Sequence, residues 1–350
     1  MRPLSRRRFL WTSLGACGPF GLSMVAWRQH RGRHAEGIED AGPPFGPGGL
    51  EAFTQTSWAL GSEVSITALH ADREVARRAV GAAMAELRLV ESVMSLYRPQ
   101  SQLCRLNRDG VLDAPHPYLV EVLRRAQAMS AQTGGAFDVT VQPLWLLYAE
   151  AQKTGRPTES AALNKAVQRV DWRRVEISAA KIRLHGDGTA VTLNGIAQGF
   201  AADQAMAALR RHGVEHALAD TGEIASLGHK AGGEPWTAGI QHPRRQDAYV
   251  WLAKLRGRCL ATSGDYASSF SADFRHHHIF DPRTGRSPAE FASVSVAAAT
   301  AAQADAISTA VFVLGHAKGL ELVRSVPGAD ALLVFKDGRT LATEGFPTDA

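Results

Sequence analysis

The sequence predicts an α+β fold, with mainly antiparallel β-sheets packed against several long helices. Three observations predict it. Short segments rich in β-forming residues recur through the body of the chain. Between them lie a few long stretches whose apolar residues repeat at helical spacing. The two kinds of segment do not alternate regularly, which argues against a doubly wound parallel sheet.

Taken in order, residues 58–69 alternate and read as one strand. Asp72 then caps a helix over residues 74–95, where Val80, Met84, Leu87 and Met94 recur at helical spacing. Residues 117–133 repeat that pattern with Leu119, Val122, Leu123, Ala126 and Met129, and Gly134-Gly135 ends it. Strands are expected at residues 173–177, 182–185, 190–193, 217–220, 236–241, 249–255 and 293–297, and helices at 196–212 and 302–314. Near the C-terminus Lys336-Asp337-Gly338 separates apolar runs at 331–335 and 340–343, the signature of a hairpin.

At 350 residues, 45% hydrophobic and 21% charged, the chain can bury a full core. Its net charge of +5 is concentrated at the front. Residues 1–34 hold seven arginines and no acid, so 32 basic residues face 34 acidic ones in the rest of the chain. The body has no basic footprint for nucleic acid, and that class of partner is set aside.

The first residues read as an address. Arg6-Arg7-Arg8 stand directly before an apolar stretch, residues 9–27, that is interrupted by Gly15, Gly18 and Gly21. This resembles a twin-arginine export signal and implies a periplasmic protein. Two other fates are compatible with it: retention as an inner-membrane anchor, or lipidation at Cys17, since Leu14-Gly15-Ala16-Cys17 resembles a lipoprotein cleavage site. Either would bring the protein to a membrane. Residues 28–50, polar and then rich in Pro and Gly, read as a linker, so the expected order is signal 1–27, linker 28–50 and folded domain 51–345. The other two cysteines, Cys104 and Cys259, have no metal or redox spacing and are expected to be buried thiols.

Three segments could carry chemistry. In the helix expected at 302–314, Asp305 and Thr309 stand one turn apart, and a carboxylate and a hydroxyl together suit a hard cation such as Mg²⁺. The same pair also fits an acid near a helix N-terminus and a threonine bonded to its own helix. Residues 191–200 (VTLNGIAQGF) run from strand to helix through small residues, a place where a phosphate can meet free backbone N–H groups. They match neither a P-loop nor a dinucleotide-binding glycine pattern. Residues 276–285 (HHHIFDPRTG) place imidazoles beside a turn, where one could accept a proton; as a surface loop they would need no function. The histidines lack the i, i+4 spacing of a zinc protease site. Tyr97 and Phe137 could line a pocket for a flat ring or belong to the core.

The order and separation of these motifs resemble the ApbE family, the FAD:protein FMN transferases, over nearly the whole body. The matching stretches are Leu60-Gly61-Ser62, a turn in the family; Ser95, Tyr97, Ser101 and Asn107; Gly135, Phe137, Asp138, Thr140, Pro143 and Leu144; Ser263-Gly264-Asp265-Tyr266; His278-Ile279 with Asp281-Pro282 and Thr284-Gly285; and Ala304-Asp305-Ala306 with Ser308-Thr309. The resemblance implies transfer of FMN from FAD to a threonine of a periplasmic or membrane-associated redox protein, with release of AMP and dependence on Mg²⁺. It implies that Asp305, Thr309 and the Gly195 carbonyl hold the metal and that His278 is the base. It further implies that Leu60, Tyr97, Ala136, Phe137, Asp138, Thr192, Gln198 and Ile279 line the site for FAD. Two stretches depart from the family pattern: Thr192 and Gln198 replace an acid and a lysine, and Thr221-Gly222-Glu223 replaces Gly-Gly-Asp. Those departures keep two alternatives in view, a non-catalytic FAD carrier or assembly factor and a Mg²⁺-dependent FAD pyrophosphatase.

Overall fold

The structure, a computed structural model, describes residues 49–348. The expected signal, Cys17 and nearly all of the expected linker lie outside the described residues.

The chain opens with β1 (Glu51–Ala59), β2 (Ser62–His70), α1 (Arg73–Met94), α2 (Gln102–Asp109), β3 (Val111–Asp113) and α3 (Pro117–Gln132). It continues through α4 (Gln142–Thr154), α5 (Ser160–Val167), β4 (Val175–Ile177), β5 (Lys181–Leu184), α6 (Ala197–Arg211), β6 (His216–Asp220) and β7 (Ile224–Leu227). The last part holds β8 (Trp236–His242), β9 (Arg245–Leu255), β10 (Cys259–Gly264), β11 (Phe291–Ala298), α7 (Ala301–Leu314), α8 (His316–Ser325), β12 (Asp330–Phe335) and β13 (Thr340–Ala342).

Eight strands form one antiparallel sheet in the order β1-β2-β6-β7-β10-β11-β12-β13, and β3-β5-β4 and β8-β9 form two small ones. The large sheet is buried on both faces because its strands are apolar on both. Ala217 and Ala219, Cys259 and Ala261, and Val294 and Val296 join the core shared with α1, α6 and α7. Their neighbours Leu218, Leu260 and Ala297 join a second core beneath β8 and β9. Side chains alternate across a strand, so successive residues serve opposite layers. The expected α+β class with antiparallel sheets is what the chain adopts.

The four helices read from the sequence are present, and Asp72 caps α1 by accepting from the N–H groups of Glu74 and Val75. Two strand expectations need correction. Residues 58–69 are not one strand but the junction of β1 and β2. Leu60 and Gly61 take φ of 55° and 81°, the left-handed pair that a two-residue hairpin turn requires. Residues 190–193 join no ladder. Asn107 replaces the missing strand partner: its amide donates to the Val191 carbonyl at 2.8 Å and accepts from the Val191 N–H at 2.7 Å. Cys259 is buried and Cys104 only partly so, and both are free thiols.

Candidate active site

Where α6 meets α7, a glycine sets the distance. A Cβ on Gly199 would collide with the backbone of Ala301, so the two helix starts touch directly. Asp203 of α6 reinforces the contact by accepting from the N–H groups of Ala301 and Ala302 at 2.8 and 3.0 Å. The first turn of α6 therefore lies against α7, and the Gly199 N–H donates to Asp305 Oδ2 at 3.1 Å. One turn further along, Thr309 Oγ1 packs against Gly195, 3.0 Å from where a Cβ would stand. Ser263, at the end of β10, shares hydrogen bonds with Ser308 at 2.8 Å and Thr309 at 3.1 Å.

Gly195, Ser263, Asp305 and Thr309 line a cleft that also receives the β1–β2 turn, the residues after α1, residues 136–142 and the loop before β11. Every predicted site residue lines it: His278; Leu60, Tyr97, Ala136, Phe137, Asp138, Thr192, Gln198 and Ile279; Gly195, Asp305 and Thr309. Several polar side chains there are already engaged. Asp138 accepts from the Thr140 N–H at 2.7 Å, the Thr140 hydroxyl at 2.6 Å and the Trp172 N–H at 3.0 Å, which turns its carboxylate to the backbone. The Thr192 hydroxyl accepts from the Asn194 N–H at 3.3 Å, and Gln198 donates to the Thr221 carbonyl at 3.5 Å. Motif reading did not point to Glu91 or Trp145, which also line the cleft. Both sit on helices, and α4, which carries Trp145, was itself not foreseen.

The electrostatics are lopsided. Among the described residues that line the cleft there are four carboxylates, Glu91, Asp138, Glu223 and Asp305, and no lysine or arginine. Burial pushes Asp305 up to about 7, against the pull of the Gly199 hydrogen bond. Burial also raises Glu223 well above the usual carboxylate range, and the charge of Asp305 adds to it. Two buried acids facing each other without a counter-charge are costly, and a cation relieves that cost. Among the described residues no three His, Cys, Asp or Glu side chains cluster as a metal site. The expected set of one carboxylate, one hydroxyl and one carbonyl is of another kind.

His278 is partly buried, and its Nδ1 lies 3.2 Å from the Ser268 carbonyl. A carbonyl only accepts, so Nδ1 carries the proton and Nε2 keeps its lone pair. Burial lowers its pKa below the ordinary histidine value. His277 differs: its Nε2 lies 3.0 Å from the Pro288 carbonyl, its ring packs edge-on to Phe312, and burial takes it down to about 3. It serves as a neutral core residue. His276 is exposed and lies beside Tyr148.

The sequence pattern of the ApbE family matches residues 60–333. The FAD:protein FMN transferase of Treponema pallidum is 33% identical over 279 residues, covering 73% of this chain and 76% of the relative. That of Salmonella typhimurium is 32% identical over 271 residues, covering 73% and 75%. Among solved structures, the ApbE protein of Thermotoga maritima superposes with a TM-score of 0.75 at 27% identity, over 84% of this chain and 97% of its own. The flavin transferase ApbE of Vibrio cholerae gives 0.72 at 25% identity, over 85% and 98%.

Proposed function

The chain belongs to the ApbE family and is a flavin transferase, and on that premise we propose that it moves FMN from FAD to a threonine of an acceptor protein, releasing AMP. In this reaction the threonine oxygen attacks the phosphorus on the FMN side of the diphosphate. A new P–O bond forms, the bond to the bridging oxygen breaks, and AMP leaves with that oxygen. The hydroxyl proton passes to Nε2 of His278, which the Ser268 carbonyl leaves free to accept it.

One observation carries the need for a cation: the cleft lining holds four acids and no lysine or arginine, so nothing on its walls neutralises a diphosphate. Mg²⁺ is the proposed partner, held by Asp305, Thr309 and the Gly195 carbonyl, which the Gly199 contact brings together. When bound it supplies neutralisation of the phosphate charge. The remaining work is positioning. Phe137, Trp145 and Ile279 offer apolar surface for a flavin ring, and Leu60, Tyr97, Ala136, Thr192 and Gln198 complete the wall. Asp138 supports that wall from behind through its bonds to Thr140 and Trp172.

Incubating the protein with FAD and Mg²⁺, with and without a flavoprotein domain bearing an acceptor threonine, tests the reading. Covalent flavin on the acceptor together with AMP is the expected result. AMP without acceptor would instead identify a pyrophosphatase, and intact bound FAD a carrier. Export is proposed on the Arg6-Arg7-Arg8 leader. A reporter fused behind residues 1–50 should reach the periplasm, and should stay inside the cell once Arg6 and Arg7 are both changed to Lys.

A further inference from the structure

The loop that delivers His278 begins at Asp265, directly after β10, and returns to the core at Ile279. Its two ends meet: the Ser268 carbonyl accepts from the His278 N–H at 3.0 Å and also faces Nδ1 of that ring. Its tip is strained, with Phe274 at φ of 58°. A strained tip persists only if surrounding groups hold it.

The holding groups come from far away in the sequence. Arg244, at the turn between β8 and β9, donates two parallel hydrogen bonds to the fully buried Asp265 carboxylate, both at 2.7 Å. The same guanidinium lies 4.1 Å from the centre of the Phe274 ring. Lys336, following β12, donates to the Phe274 carbonyl at 2.7 Å and stands 3.4 Å from Asp265 Oδ2. One arginine thus grips both the start and the tip of the loop. A planar fork that pairs a carboxylate and covers a ring at once is something lysine cannot supply.

We propose that Arg244 is a positioning residue for flavin transfer: by gripping Asp265 and Phe274 it fixes the loop whose Ser268 carbonyl orients His278. The inference rests on His278 being the base. It assigns the small β8–β9 sheet a part in the reaction, although none of its residues lines the cleft. The grip is also electrostatic. Asp265 favours the protonated form of His278, and Arg244 and Lys336 offset that charge. The other titratable groups are Tyr266, Asp273, Arg275, His276 and His277 on the loop itself, and Tyr148 and Glu223 near it; Asp273 and Arg275 pair with each other at the tip, 3.3 Å apart. His277 stays neutral, burial holds the Tyr266 phenol up, and Glu223 is raised by burial.

The test is a pair of substitutions that move one observable in opposite directions. Transfer is measured from about pH 5 to pH 9 at saturating Mg²⁺, which would keep Asp305 ionised, so that the acid limb reports protonation of the base. Arg244→Gln leaves Asp265 less compensated, so the limb shifts up by about 0.5 pH unit and kcat falls about tenfold or more, while KM for FAD changes less than about threefold. Asp265→Asn removes the charge, so the limb shifts down. Arg244→Lys keeps the charge and restores the limb, but recovers only part of kcat. Thermal melts of all variants show whether the chain is folded, and the limb is read from the folded fraction, which its amplitude does not affect. Unmoved limbs in both Arg244→Gln and Asp265→Asn, with activity tracking the melts, would overturn the proposal. His278→Ala separates the two readings. If it retains near-normal kcat, the base assignment itself fails; if it is inactive while those limbs do not move, only the role of Arg244 is lost.

Discussion

The N–H of Gly199 donates to Oδ2 of Asp305 at 3.1 Å, across 106 positions of sequence. This bond joins the first turn of α6 to a buried acid of α7 and so assembles the half of the cleft proposed to meet the diphosphate. The close approach depends on the missing Cβ of Gly199.

Gly199→Ala should therefore damage both fold and site. The added methyl has backbone, not a flexible side chain, in its way. The expected loss is about 2–3 kcal/mol, read from urea denaturation, with transfer activity falling further than the folded fraction accounts for.

Asp305→Ala and His278→Ala should each lower transfer by about 100-fold or more while the chain stays folded. They should differ in binding. Mg²⁺ is expected to raise the melting temperature of the natural chain and of His278→Ala, but not that of Asp305→Ala. Near-normal turnover in either variant would remove that residue from the site.

Asn107→Ala should cost about 2–3 kcal/mol, because both Val191 backbone groups lose their partner. Residues 191–195 would loosen with it. Faster amide exchange at Val191 and Thr192, measured against an unchanged β11, is the expected signature.

Stability should also depend on pH through Asp220. Burial raises its carboxyl from the ordinary 3.8 to about 7. The folded chain then keeps a proton that the unfolded chain has released, so stability falls as pH rises from about 3.8 to about 7 and levels off above that. Asp220→Asn retains an acceptor for the Gly222 N–H, now bonded at 3.1 Å. Its denaturation midpoint should drop less between about pH 5 and pH 7 than that of the natural chain. Equal slopes would show that other acids set the dependence.

Much of the candidate site was legible because its signals are local. Asp305 and Thr309 could be paired from helical spacing, and a turn at residues 281–285 from Pro282 and Gly285. His278 stood out from His276 and His277 only through the resemblance; a reason specific to this chain came from burial and hydrogen bonding, since His277 packs on Phe312 and His278 faces Ser268. The misreadings were also local. Alternation continued across Leu60 and Gly61, so that only the family resemblance marked the turn there, and residues 190–193 had the composition of a strand without a strand to pair with.

The sequence by itself determined the α+β class, the long helices, the tail hairpin and the residue types available for phosphate chemistry, because each depends on periodicity or on neighbours a turn away. Tertiary structure alone decided that Asp305 meets Gly199, that Glu223 shares its wall, and that Arg244 grips the loop before His278. Those relationships arise from helix approach, desolvation and a long-range ion pair. Each is a property of where the folded chain excludes water, and local residue order does not encode it.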